Sequence, residues 1–171
     1  MAGPRRGTAL LGGLLSLAAT VLLPFHLGGT FGIAIAALFF AGGLALAMAS
    51  VALGGALRDR VAGARLWALL GAAGFVVSGA GLIGDVVEQA FVRAEIAAVA
   101  AVALWWIAVW RGLRGRTRLA GFSLLCAACA AGSLVGQIVW EPPAGAVPAR
   151  FAYVLWGPWG LWLGATRRAS G

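Results

Sequence analysis

Apolar runs near 8–27, 30–56, 66–87, 95–110, 119–140 and 151–166 dominate the chain, and its charged residues are largely confined to the gaps between them. Most of these runs match the ~20 residues that an α-helix needs to cross ~30 Å of hydrocarbon. Composition closes off the soluble alternative. Of 171 residues, 62% are hydrophobic and 11% charged, with a mean hydropathy of +0.96. Even a soluble domain of ~150 residues hides only about 70% of the surface its chain exposes, so this much apolar surface needs lipid. Disorder is excluded by the apolar content, collagen by the absence of a glycine triplet period, and a disulfide scaffold by having only 2 Cys. The expected fold is an all-α integral membrane protein, a six-helix transmembrane bundle forming one polytopic domain over 1–171.

The arginines orient that bundle. If successive gaps lie on alternate sides, Arg5, Arg6, Arg58, Arg60, Arg65, Arg111, Arg114, Arg116, Arg118, Arg167 and Arg168 share one side, and Arg93 and Arg150 share the other. Positive flanks stay in the cytoplasm, which places both termini there. Trp67, Trp110 and Trp162 near the inner arginines and Trp140 near the outer boundary suit interfacial anchoring. A net charge of +8 in a soluble protein would suggest nucleic acid, but here it is divided among membrane loops, so the expected partner is the lipid bilayer, with no nucleic acid. Arg5 and Arg6 ahead of an apolar run resemble a secretory leader; the length of the run favours a retained first span. Abundant Ala, Gly and Arg without Lys points to a GC-rich bacterial genome, and hence to the plasma membrane.

Helices in lipid associate through close van der Waals approach, which favours small residues four apart. Such stripes run through Gly12, Ser16 and Thr20, through Gly74 and Ser78, through Ala128, Gly132 and Gly136, and through Gly160 and Gly164. They serve internal packing, or an oligomer or partner subunit at the Gly132/Gly136 or Gly160/Gly164 face. Residues 80–87 and 132–139 also echo one another, which suggests related hairpins. In the last run, Pro158 removes a backbone donor and is expected to kink the helix, with Trp156, Trp159 and Trp162 opposite the glycine face. That break makes Trp156, Pro158 and Trp159 a second candidate region, because irregular helices line transport sites.

Ionisable groups within membrane spans are candidates for function. Counting ~1.5 Å per residue from the inner ends, His26, Asp85 and Gln137 reach ~27–29 Å, near the outer rim. Asp85 lies one turn from Glu88 and Gln89, and Glu141 one turn beyond Gln137. If the outward-running helices adjoin, these six residues form an external polar mouth for a small polar solute or a cation.

Other chemistry has less support. One His without ligand spacing argues against a metal site, and no cofactor is implied. Cys126 and Cys129 have the C-x-x-C spacing of redox pairs, yet lie well inside an apolar run, far from the helix terminus that would activate a thiol. Ser78 lacks a base at its depth, and the absence of Lys excludes a Schiff base. A non-enzymatic solute-binding or transport subunit is therefore the leading expectation. An accessory or structural subunit of a membrane complex comes second, and a membrane-embedded enzyme third.

Overall fold

The computed structural model describes residues 3–22, 30–83, 88–114, 118–139 and 148–165; for 3–5, 30–32, 82–83, 88–92 and 148–151 the description is of backbone alone. The described residues form α1 (Gly3–Leu22), α2 (Thr30–Leu57), α3 (Ala64–Ile83), α4 (Glu88–Leu113), α5 (Arg118–Val139), a 3-10 helix (Pro148–Leu155) and α6 (Trp156–Ala165), with no strand among them. Four segments are long and apolar enough to cross a membrane: Ile33–Leu57, Ala64–Gly81, Arg93–Leu113 and Arg118–Val139. The apolar part of α1, Arg6–Leu22, is shorter. Polarity is distributed as lipid requires. Ser16, Ser50, Ser78, Ser123 and Glu95 are fully buried, while Leu14, Ile33, Met48, Leu66 and Ile138 are more than half exposed. An apolar exterior around polar interior groups reverses the arrangement of a water-soluble helix array, and with the long apolar helices it marks a membrane-embedded protein.

Three elements depart from the expected boundaries: α1 begins at Gly3, five residues ahead of the run read as 8–27, of which 23–27 lie outside the described residues. The fourth run, read as 95–110, belongs to a 26-residue helix that starts at Glu88. Sixteen residues of α-helix reach only ~24 Å, short of the hydrocarbon thickness, and the upstream turns supply the difference. The last run is a 3-10 helix followed by a 10-residue α-helix rather than one kinked helix. The change of pitch falls at Leu155–Trp156, so Pro158 lies in the first turn of α6, where a missing N–H has no intrahelical partner to lose. At ~2.0 Å per residue over the 3-10 part and ~1.5 Å over the α part, the pair extends ~31 Å.

The helices pack in chain order, α1 on α2, α2 on α3, α3 on α4 and α4 on α5; the 3-10 helix then rests on α5 and α6 returns to α1, closing a ring of contacts. Glycines set the closest approaches. A Cβ on Gly12 would stand 2.9 Å from the Leu46 side chain and 3.0 Å from the Gly42 carbonyl, which joins α1 to α2 almost backbone to backbone. A Cβ on Gly160 would stand 2.8 Å from the Gly13 Cα, which does the same for α1 and α6. The turn between α2 and α3 is equally compact. Leu57 O accepts from Arg60 N and Val61 N at 2.9 and 3.0 Å, and Gly63 reverses the chain at φ +69°, a left-handed conformation that L side chains resist.

Aromatic side chains fill the interior. Phe75 meets Trp156 edge-on at 4.9 Å between ring centroids and stacks on Trp159 at 5.9 Å, while Trp106 lies 6.1 Å from Trp159. Two indoles also bridge helices, with Trp105 Nε1 donating to Ser50 Oγ and Trp159 Nε1 to Ser123 Oγ, each at 3.0 Å. Trp156 and Trp159 therefore face the core, and of the three tryptophans on α6 only Trp162 reaches the exterior, stacked on Phe122 at 5.0 Å. With its glycines against α1 and these indoles inward, α6 is covered on both faces.

Candidate functional site

Among the described residues, Glu95 carries the one carboxyl group that is fully buried between these helices. Because α4 begins at Glu88, Glu95 stands ~10 Å past the start of the helix rather than at its rim. It is 0% exposed, and the phenol of Tyr153 donates a hydrogen bond to its Oε1. Tyr153 is carried by the 3-10 helix, so the irregular segment supplies the donor that meets α4. The ring of Tyr153 lies 4.8 Å from Trp156 and 6.0 Å from Phe39, and Phe39 lies 6.3 Å from Trp156. Glu95 thus faces a phenol that is one member of a three-ring aromatic group.

Helix register brings more polar atoms to this level. Measured from the arginine-rich ends of their helices, Phe39, Glu95 and Gln137 all lie ~27–28 Å along, and Ser78 lies ~21 Å along, about one turn deeper. Ser78 follows Gly74 by one turn, and Gly74 packs directly on Ala98 and Val102 of α4, which turns the serine toward the part of α4 that carries Glu95. Ser78 Oγ and Gln137 Oε1 are buried and have no hydrogen-bond partner among the described residues. Buried polar atoms are normally paired with protein or ordered water, and an unpaired one points to water, an ion or a ligand. Ser16 Oγ and Trp106 Nε1 are also unpaired, but the first is pressed against Gly42 and the second sits in the aromatic core.

Of the residues expected to form the external mouth, Gln137 is described in full and joins this level. Glu88 and Gln89 occupy the first turn of α4, where only the backbone is described. His26, Asp85 and Glu141 lie outside the described residues. Trp156, Pro158 and Trp159 all belong to the first turn of α6; Trp156 borders the Glu95–Tyr153 pair and Trp159 sits below it in the core. Glu95 and Tyr153 were not among the expected site residues. The signal for Glu95 was the shortness of the 95–110 run, because extending it upstream to span lipid draws Glu95 inward.

The remaining candidates separate. Cys126 is buried and Cys129 exposed, both with free thiols; three positions apart on α5, they are neighbours on one side of the helix that straddle the edge of its buried face. Gly160 and Gly164 are covered by α1 of the same chain, through Gly13 and Leu10, whereas Gly132 has nothing within 4 Å of a Cβ built on it. Among the described residues, no three of His, Cys, Asp and Glu come together as metal ligands would. Compared with protein-family models, curated proteins and solved structures, the chain matches none.

Proposed function

We propose that the chain is a six-crossing plasma-membrane protein of bacterial type, termini in the cytoplasm, that binds and carries a small cationic solute at Glu95 and Tyr153. One observation carries this reading: a fully buried carboxyl group inside an apolar helix array, hydrogen-bonded by a phenol at the edge of an aromatic group. Ionisable side chains are expensive in lipid and mark solute or ion pathways when retained. A carboxylate provides the countercharge for an amine, aromatic faces attract the same cation, and the unpaired oxygens of Ser78 and Gln137 are acceptors suited to its N–H groups. The test is uptake of radiolabelled methylammonium into proteoliposomes. The wild-type chain and Tyr153→Phe should both load the vesicles, Tyr153→Phe more weakly, and Glu95→Gln should reduce uptake to that of empty vesicles. Equal uptake by wild type and Glu95→Gln, or none by wild type, would reject the reading.

A second reading, an accessory subunit that docks through α5, is favoured by the covering of that helix. A third of its apolar window is buried (33%), against 50–56% for the windows of α2, α3 and α4, and its small-residue stripe is open at Gly132. A Cβ at Gly132 meets nothing within 4 Å among the described residues, so loss of a co-purifying membrane protein in Gly132→Leu would favour docking, and unchanged recovery would count against it.

A further inference from the structure

At the arginine-rich end, a cleft of about 390 Å³ opens between the α2–α3 turn, the first turn of α3 and the C-terminal half of α4. We infer that this cleft binds one anionic glycerophospholipid, its phosphate between Arg60 and Arg111 and the start of an acyl chain along Leu104 and Ile107. The α4 wall is graded from apolar to cationic. Leu104, Ile107 and Arg111 follow one another at helical spacing, which places them on one face with Leu104 ~10 Å deeper than the guanidinium-bearing residue. Arg60 enters from the turn opposite, and Trp67 forms the wall at the level where an indole prefers to sit between lipid and water.

Charge complementarity selects the occupant. Both ionisable residues lining the cleft are arginines, and both are exposed. The nearest acid in the turn, Asp59, is engaged by Arg58 at 3.4 Å, and Arg114 lies over the Trp110 ring at 5.4 Å, so neither Asp59 nor Arg114 alters the cationic character of the cleft. Arginine forks match phosphate oxygens, and Leu104, 47% exposed, leaves the apolar wall open along the outer surface of the helices. A soluble anion would use the two guanidinium groups and leave that wall bare. An amphiphile uses both.

Native mass spectrometry of the full chain, released from detergent micelles containing either palmitoyl-oleoyl-phosphatidylglycerol or the matching phosphatidylcholine, tests the assignment. The wild-type protein should retain one phosphatidylglycerol in preference to phosphatidylcholine. Each of Arg60→Ala and Arg111→Ala should weaken retention about fivefold, and the double variant roughly 30-fold. Arg118→Ala, which removes the same charge outside the cleft, should retain the lipid. Ile107→Trp, which fills the apolar part without changing charge, should displace it. Equal retention of the two lipids, or wild-type retention by the double variant, would overturn the inference. So would full displacement of phosphatidylglycerol by millimolar inorganic phosphate, which would make the cleft a soluble-anion site. None of these readouts involves Glu95, so the result is independent of solute transport.

Discussion

Replacing Gly160 by Ala adds one methyl group to α6, and the structure fixes what that group meets. Its Cβ would lie 2.6 Å from the Leu46 side chain, 2.8 Å from Gly13 Cα and 2.9 Å from Gly13 N. Carbon pairs rest at ~3.5–4.0 Å, so the α1 backbone must withdraw by ~0.7 Å or more, and a gap of that size forfeits a quarter to a half of each contact along the seam. Overpacking of this kind costs about 1–3 kcal/mol. Gly132→Ala is the matched control, because it makes the same change on a helix where a Cβ meets nothing within 4 Å. Any gain in helix propensity is shared by the two variants, so their difference reports the packing of α6 on the α1 backbone and on the Leu46 side chain of α2. Equilibrium unfolding in mixed micelles, followed by tryptophan fluorescence, should show Gly160→Ala destabilised by about 1–3 kcal/mol relative to Gly132→Ala. Equal stabilities would refute the close approach of α1 and α6, and with it the closed order of helices.

Three further outcomes are expected. Ser123→Ala removes the acceptor of the buried Trp159 indole and should destabilise the protein by about 0.5–1.5 kcal/mol in the same unfolding assay, with Trp159→Phe in the Ser123→Ala background adding less than Trp159→Phe alone. In detergent micelles at alkaline pH, an uncharged maleimide should label the exposed Cys129 in preference to the buried Cys126, so Cys129→Ser should remove most of the labelling until the protein is denatured. With both native cysteines replaced, a single thiol at Ala144 should react with an impermeant reagent in intact cells and one at Arg114 should not; the opposite pattern would reverse the orientation.

Much of the helical layout was legible because hydrocarbon thickness sets the lengths of apolar runs. α2, α3 and α5 follow the runs closely, while α4 and the last run show where length alone misleads. The fourth run was read as starting at Glu95, which left that residue at its rim, yet α4 starts at Glu88 and carries Glu95 into the interior, where Tyr153 meets it. The sequence does not display that partner. Tyr153 is the one tyrosine in the chain, lies 58 positions away and reaches Glu95 from a 3-10 helix, whose pitch leaves no mark in an apolar run.

The inward faces were less legible still. In water a helix shows its buried side by periodicity, but α2 and α3 carry apolar residues all round because lipid tolerates them as readily as the core does. Small residues were the remaining guide. They located the contacts of Gly12, Gly74, Gly160 and Gly164 without saying which helix each one meets, and the Gly160 stripe, open to an external partner on sequence grounds, is taken by α1.

The meeting of α1 with α6 has a consequence for biogenesis. The ribosome delivers α1 well before α6, so the glycine seam of α1 has no mate while the intervening helices enter the bilayer. Phe75, Trp106 and the hydroxyl of Ser123 likewise wait for the indoles that arrive with α6. A nascent chain arrested before Trp156 would present an unfilled furrow to insertases and membrane proteases, and synthesis of α6 is the step that withdraws that signal.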